Sequence, residues 1–91
     1  MFDWSDEKDV ELRKTRGIGF EDIVFHLAAG DLLAIVPHPN AEKYPKQKIM
    51  YIDIDNYVYL VPFIEGDGQR FLKTIIPSRR ATKELLREKK P

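Results

Sequence analysis

The chemistry this chain can offer is cationic, and the cations gather towards one end. In "IIPSRRATKELL" (75–86) an apolar run stops at Pro77 and Ser78, and Arg79 and Arg80 follow at once. From Gln69 onward eight basic residues stand against two acidic ones, although the 91-residue chain balances 15 Lys and Arg against 15 Asp and Glu. On a helix starting near Arg79, the residues Arg80, Lys83, Arg87 and Lys90 fall three and four apart and share one side. A solvated face accounts for such a stripe, since cations suit the C-terminal end of a helix dipole. Arg79 and Arg80 resist that account, because at a helix N-terminus they oppose the dipole. Lys73 lies six residues before Arg79 on a strand, on the same face as Phe71 and Ile75. If one sheet face is open, Lys73, Arg79 and Lys48 from an earlier strand converge there. Converging Arg and Lys bind a phosphodiester and stabilise the charge that develops when it is cleaved. Otherwise Lys73 is an ordinary edge cation pointing to solvent.

Proton transfer needs other residues. Tyr51, Tyr57 and Tyr59 offer hydroxyls for acid–base work or rings for stacking on bases. Half-buried packing with a wet hydroxyl explains them equally well. His26 lies off the apolar stripe of its helix, four residues after Asp22, and reads as an exposed helix residue. His38 sits far away in a Pro-rich loop. With no Cys, no HExxH and no GxSxG, neither a metal site nor a nucleophile triad assembles. "GDGQR" joins two strands and reads as a hairpin, not a phosphate loop.

The elements that must position these residues follow from periodicity. At 91 residues with 43% apolar content the chain reads as one globular domain over 1–91. Ser5 caps a first helix reaching roughly Lys14, with Asp6 and Glu7 in its first turn. Phe20, Ile23, Val24 and Leu27 mark a second helix from about Phe20 to Ala29, stopped at Gly30. "LLAIV" (32–36) reads as a short buried strand and "KIMYIDI" (48–54) as an alternating one. Asp55-Asn56 makes a tight hairpin into "YVYLVPFIE" (57–65), a central strand, and "GDG" turns into "RFLKTII" (70–76). A last helix starts near Arg79 with Ser78 as cap. The expected architecture is α+β: two N-terminal helices, a four-stranded antiparallel sheet and a C-terminal helix. The acidic opening "MFDWSDEK" lacks an apolar signal core, and "YVYLVPFI" is far short of a membrane span. Without cysteine the chain fits a reducing compartment, so a cytoplasmic protein is expected.

Several short motifs resemble the BrnT-type toxins, the ribonuclease half of a bacterial type II toxin–antitoxin pair. "FDWSDEK" is similar to F-[ED]-W-D-x-x-K at Phe2, Trp4 and Lys8, with Ser5 in place of Asp. "RGIGFEDI" is similar to K-H-G-[VI]-S-F-E-E-A at Gly17, Ile18, Phe20 and Glu21, with Arg16 where His is common. "GDLLAIVPHPN" resembles the strand and turn that follow. "TIIPSRRATKEL" resembles R-I-I-S-A-R-K-A-T-x-x-E, with Arg79, Arg80, Ala81 and Thr82 in register and Thr74 replacing an arginine. The resemblance implies a RelE-like fold and RNA cleavage without metal or cofactor, in which the 2′-hydroxyl attacks the adjacent phosphate. It implies Arg79 as the phosphate or transition-state ligand, with Lys48 and Lys73 as supporting cations. Lys48 stands where the family tends to carry an arginine, whose bidentate contact a lysine does not reproduce. Tyr59 or Glu65 is the implied acid–base partner, and Arg80, Lys83, Arg87 and Arg16 are implied RNA contacts. The implied partners are RNA and a small antitoxin of ribbon-helix-helix type, with a homo-oligomer or a toxin–antitoxin heterotetramer as the assembly, and no membrane.

Two other readings stay open at this point. The same basic surface serves a non-catalytic module that binds RNA, DNA or an acidic protein. It also suits an inactive toxin relative kept as a structural or regulatory partner.

Overall fold

A computed structural model describes residues 1–87, and of Arg87 only the helical backbone; Lys90 of the expected basic stripe lies outside the described residues. Strand β1 (Phe2–Trp4) leads into helix α1 (Asp6–Arg16), where Ser5 Oγ accepts from the Lys8 N–H at 3.3 Å. Asp6, Glu7 and Asp9 in the first turn and Arg13, Lys14 and Arg16 in the last match the helix dipole. Gly17, at φ +70°, ends the helix in the left-handed region. Helix α2 (Phe20–Ala28) follows. Then come strands β2 (Leu32–Pro37), β3 (Gln47–Ile54), β4 (Tyr57–Gly66), β5 (Gln69–Leu72) and β6 (Ile76–Pro77). Helix α3 (Arg79–Thr82) winds on into a π-helical turn over Lys83–Arg87.

The fold is α+β, but the sheet is larger than four strands and is mixed. Its order is β1-β5-β4-β3-β2, with β6 also paired to β4. The added strand is β1, which pairs in parallel with β5 at Phe2–Arg70, Asp3–Phe71 and Trp4–Leu72. Three residues before a helix cap carry too little periodicity to announce a strand; β5 supplies the pairing that makes them one. The expected strand 70–76 is two pieces on one partner. Between the Leu72–Phe63 and Ile76–Leu60 pairs, residues 73–75 oppose only 61–62, so one extra residue bulges the strand. Asp55 and Asn56 take φ +53° and +65° at the β3–β4 hairpin, as a two-residue turn requires.

Met50, Ile52 and Ile54 of β3 share a face with Val61 and Phe63 of β4, and this face meets Leu12 of α1, Ile18, and Phe20 and Ile23 of α2. Leu72 and Ile75 complete the core, and Trp4 stacks on Phe20 with ring centroids 5.6 Å apart. Across β3 and β4 the other face carries Ile49 opposite Pro62, Tyr51 opposite Leu60 and Asp53 opposite Val58. Helix α3 covers only one end of this second face, where Thr82 Oγ1 accepts from the buried Val58 N–H at 2.8 Å. The rest of that face stays uncovered by any described helix. Strand β2, expected to be buried, is the sheet edge: Leu32, Leu33 and Ile35 are exposed. A continuous apolar run marks a buried strand only when both of its neighbours exist, and β2 has one. No helix among the described residues is long and apolar enough to cross a membrane.

Candidate functional site

The expected cationic cluster divides: Lys48 and Lys73 line one cavity, Arg79, Arg80 and Lys83 stand on α3 and its π-helical turn, and Arg16 ends α1. Lys48 and Glu65 form an ion pair at one end of the helix face, with Lys48 Nζ 2.6 Å from Glu65 Oε1 and Arg70 Nε 3.4 Å from Oε2. The hydrogen bond from Lys48 holds the Glu65 carboxyl below the usual glutamate range, against a smaller opposing effect of desolvation. Lys73 continues the β5 register opposite Pro62, and the bulge falls after it. Of the three residues expected to share a face, Ile75 leaves it for the core, whereas Phe71 is exposed on the second face and Lys73 stays on that face. Its own N–H donates to Pro62 O at 2.8 Å, and its side chain is exposed.

Arg79 and Arg80 open α3 behind Ser78, whose Oγ accepts from the Ala81 N–H at 3.1 Å. Both arginines are exposed, and Arg80 Nε lies 2.9 Å from Glu84 Oε1, four residues on. That bond raises the Arg80 guanidinium above its ordinary value. Lys83 is exposed at the start of the π-helical turn, whose i→i+5 winding breaks the spacing that would align Arg80, Lys83 and Arg87.

Besides the Lys48–Glu65 pair, two further expected residues, Arg16 and Tyr59, come to one cleft. They line a cleft of about 250 Å³ together with Gly17, Ile18, Asp22, His26, Ile54 and Asp55. Arg16 is brought there by the end of α1, Tyr59 by the helix face of β4 and Asp55 by the β3–β4 hairpin. His26 comes from the last turn of α2 and is not the exposed residue its position off the stripe suggests. Its side chain is 18% exposed, and Nδ1 lies 2.8 Å from Asp31 Oδ2 across the turn into β2. A carboxylate only accepts, so His26 Nδ1 is the donor and the neutral ring keeps its lone pair on Nε2. Asp22, four residues before His26, is occupied elsewhere: its Oδ2 accepts from the Gly19 N–H at 2.8 Å at the start of α2.

This cleft joins a base of defined tautomer, a guanidinium and a phenol. Such a set can move a proton, bind an anion and donate a proton to a leaving group. Sequence reasoning passed over His26 because its partner lies beyond the helix end. The available signal was Asp31 right after Gly30, a turn that folds a carboxylate back towards the last helical residues. Gly30 takes φ +85°, and the Asp31 N–H donates to His26 O at 3.0 Å. Among the described residues no group of three or more His, Cys, Asp or Glu side chains gathers as a metal site.

Lys48 and Lys73 line a different cavity, about 370 Å³, with His38, Pro39, Gln47, Ile49, Pro62 and Thr74. Arg79 is not part of its lining. Compared with family models, curated proteins and solved structures, the chain matches none of them.

Proposed function

We propose that this protein is a metal-independent endoribonuclease of RelE-like fold, the toxin of a toxin–antitoxin pair, acting at the His26 cleft. The observation that carries the reading is the His26–Asp31 bond, which leaves Nε2 as the acceptor in a cleft also lined by Arg16 and Tyr59. In the proposed reaction His26 Nε2 takes the proton of an RNA 2′-hydroxyl, and the 2′-oxygen attacks the adjacent phosphorus. The bond from phosphorus to the 5′-oxygen breaks, and the Tyr59 hydroxyl protonates the leaving oxygen. Cyclic phosphate and a 5′-hydroxyl result. Arg16 faces the charge on the phosphorane, where a guanidinium gains more in the transition state than in the ground state. Asp31 touches no reacting atom and acts as a positioning residue for the ring. The motif resemblance to BrnT-type toxins supports the same activity, although it points to Arg79 for the phosphate.

In this reading the exposed cations Arg79, Arg80 and Lys83 take RNA backbone or, in the inhibited state, an acidic segment of the antitoxin. The test is incubation of purified protein with single-stranded RNA in the presence of a chelator, alongside His26→Ala. Cleavage that leaves cyclic phosphate and vanishes in the variant supports the reading. Equal cleavage by both proteins, or none by either with or without ribosomes, defeats it.

A further inference from the structure

The uncovered second face of the sheet holds a cavity that the cleavage chemistry does not use. It is lined by the cross-strand pair Ile49 and Pro62 with His38, Pro39, Gln47, Lys48, Lys73 and Thr74, the Lys48 ammonium lying on the opposite face with Glu65. At about 370 Å³ it falls within the range of small-ligand pockets, about 300–1,000 Å³. We propose that this cavity binds a nucleotide, with the base on the Ile49–Pro62 floor and the phosphate at Lys73. The proposal holds whether or not the His26 cleft cleaves RNA.

Charge selects the anion. Lys48 has its ammonium on Glu65, whereas Lys73 has no carboxylate partner among the described residues. Lys73 continues the β5 register opposite Pro62, its N–H donating to Pro62 O at 2.8 Å, and so stands on the sheet face that carries the Ile49–Pro62 pair. Polar edges select a base over a plain acyl chain. Gln47 offers both a carbonyl and an amide donor, and Thr74 adds a hydroxyl. His38 accepts from the Asn40 N–H on Nδ1 at 2.9 Å, which leaves its neutral ring with a proton on Nε2. Tyr44 backs that ring at a centroid distance of 4.7 Å. Geometry disfavours an extended peptide. The floor is the face of β3 and β4, whose backbone groups already pair with neighbouring strands on both sides, so β-augmentation has no edge to use here.

The test is titration of the ¹⁵N-labelled chain with uridine and adenosine monophosphates, which contain no phosphodiester to cleave. Saturable amide shifts at Gln47, Ile49, Lys73 and Thr74 are expected, and Lys73→Glu should weaken binding by about tenfold or more, as loss of a charge-assisted contact would. Lys73 is exposed, so the variant keeps its fold, which its own spectrum reports directly. Gln47→Ala should lower affinity for the nucleotide while leaving that for inorganic phosphate unchanged. Shifts confined to Arg16, His26 and Tyr59, equal affinity for inorganic phosphate and nucleotide, or undiminished binding by Lys73→Glu would each overturn the proposal. So would an acidic, leucine-rich peptide that moves the groove amides when nucleotides do not.

Discussion

His26 Nδ1 lies 2.8 Å from Asp31 Oδ2, and a ring that donates its Nδ1–H to that carboxylate has Nε2 left to accept a proton. The pair spans the turn between α2 and β2, so the His26 ring is fixed by the fold and not by a neighbour on its own helix. His26→Ala should lower the rate of RNA cleavage by about 10²–10⁴, the usual range for removal of a general acid or base. Asp31→Ala should lower kcat less than that and leave KM nearly unchanged, because the ring stays but loses its fixed orientation. Initial rates on a short single-stranded RNA separate these outcomes. An Asp31 variant with raised KM and normal kcat would show that the bond serves binding.

Arg16 and Tyr59 carry different parts of the proposed reaction. Arg16→Ala removes the cation that faces the phosphorane and should cost about 10²–10³ in kcat, in the range of losing one transition-state donor. Arg16→Lys keeps the charge without the fork and should recover only part of that loss. Tyr59→Phe keeps the ring against the core and removes the proton, so it should slow cleavage of ordinary RNA. A substrate whose leaving group needs no proton, such as a 5′-thio-linked RNA, should be cut by the Phe variant at close to the wild-type rate. Equal slowing on both substrates would assign Tyr59 to packing.

Much of this fold is legible from the amino acids, and the exceptions have physical reasons. Gly17, Gly30 and Asp55-Asn56 announce their turns because each takes a positive φ that few other residues tolerate, and Ser5 announces its cap by a side chain that accepts from the Lys8 N–H. Of the stripe Phe20, Ile23, Val24 and Leu27, Phe20 and Ile23 are fully buried and Leu27 packs against the core, whereas Val24 is half-buried outside it. What stays hidden depends on distant partners. The three residues of β1 become a strand only beside β5, and β2 is exposed only because the sheet ends there. The bulge at 73–75 arises from register along β4, which no window around Lys73 contains. The candidate site divides in the same way. Arg16 and Tyr59 are visible as residue types that do chemistry, whereas the His26–Asp31 pair joins a helix to the residue before a strand.

Asp9 ties α1 to α2 and should make stability depend on acid. Its Oδ1 accepts from the Phe20 N–H at 2.8 Å, and Arg13 Nε lies 3.1 Å from Oδ2. Burial pushes the Asp9 carboxyl up, but the Phe20 and Arg13 bonds together carry it below its ordinary value. A lowered folded-state value means that the charged form stabilises the fold above the unfolded aspartate range. That contribution is lost as pH falls through the lowered value. Asp9→Ala should destabilise by about 1–2 kcal/mol near neutral pH, in line with losing hydrogen bonds to a charged acceptor. The gap from wild type should close in strong acid. Urea midpoints measured from pH 7 to pH 2 give the comparison, and a gap that persists at low pH would assign the effect to packing.

Glu65 should add to the same acid dependence from the other end of the sheet. Its carboxyl is held low mainly by the hydrogen bond from Lys48. The ionised form therefore stabilises the fold above the unfolded glutamate range, and protonation through the lowered value removes that help. Glu65→Gln should flatten part of the stability profile below about pH 4.3. At neutral pH it should change the urea midpoint only slightly, because the pair is exposed to solvent. Added salt should shrink the difference further. A large salt-insensitive loss at neutral pH would mean that Glu65 holds its neighbours by shape.

Thr82 is the hinge pin of α3, and its loss should be felt at Arg79 and Arg80. The residue is 2% exposed, and its hydroxyl accepts from the Val58 N–H at 2.8 Å and donates to Ser78 O at 2.7 Å. Thr82→Val keeps the volume but leaves the buried Val58 N–H without a partner, a cost of about 1–3 kcal/mol. In a chain of this size each kcal/mol lowers Tm by about 4–8 °C, so the shift is readily measured. Thr82→Ser retains the hydroxyl and should lose only the methyl contacts, about 1 kcal/mol. Because α3 is a single turn capped by Ser78, it has little stability of its own and depends on this anchor. In the proposed function, Thr82→Val should therefore weaken the RNA or antitoxin binding assigned to the α3 cations more than it slows the cleavage assigned to the His26 cleft. Equal loss of both functions would show that α3 and the cleft fold and fail as one unit.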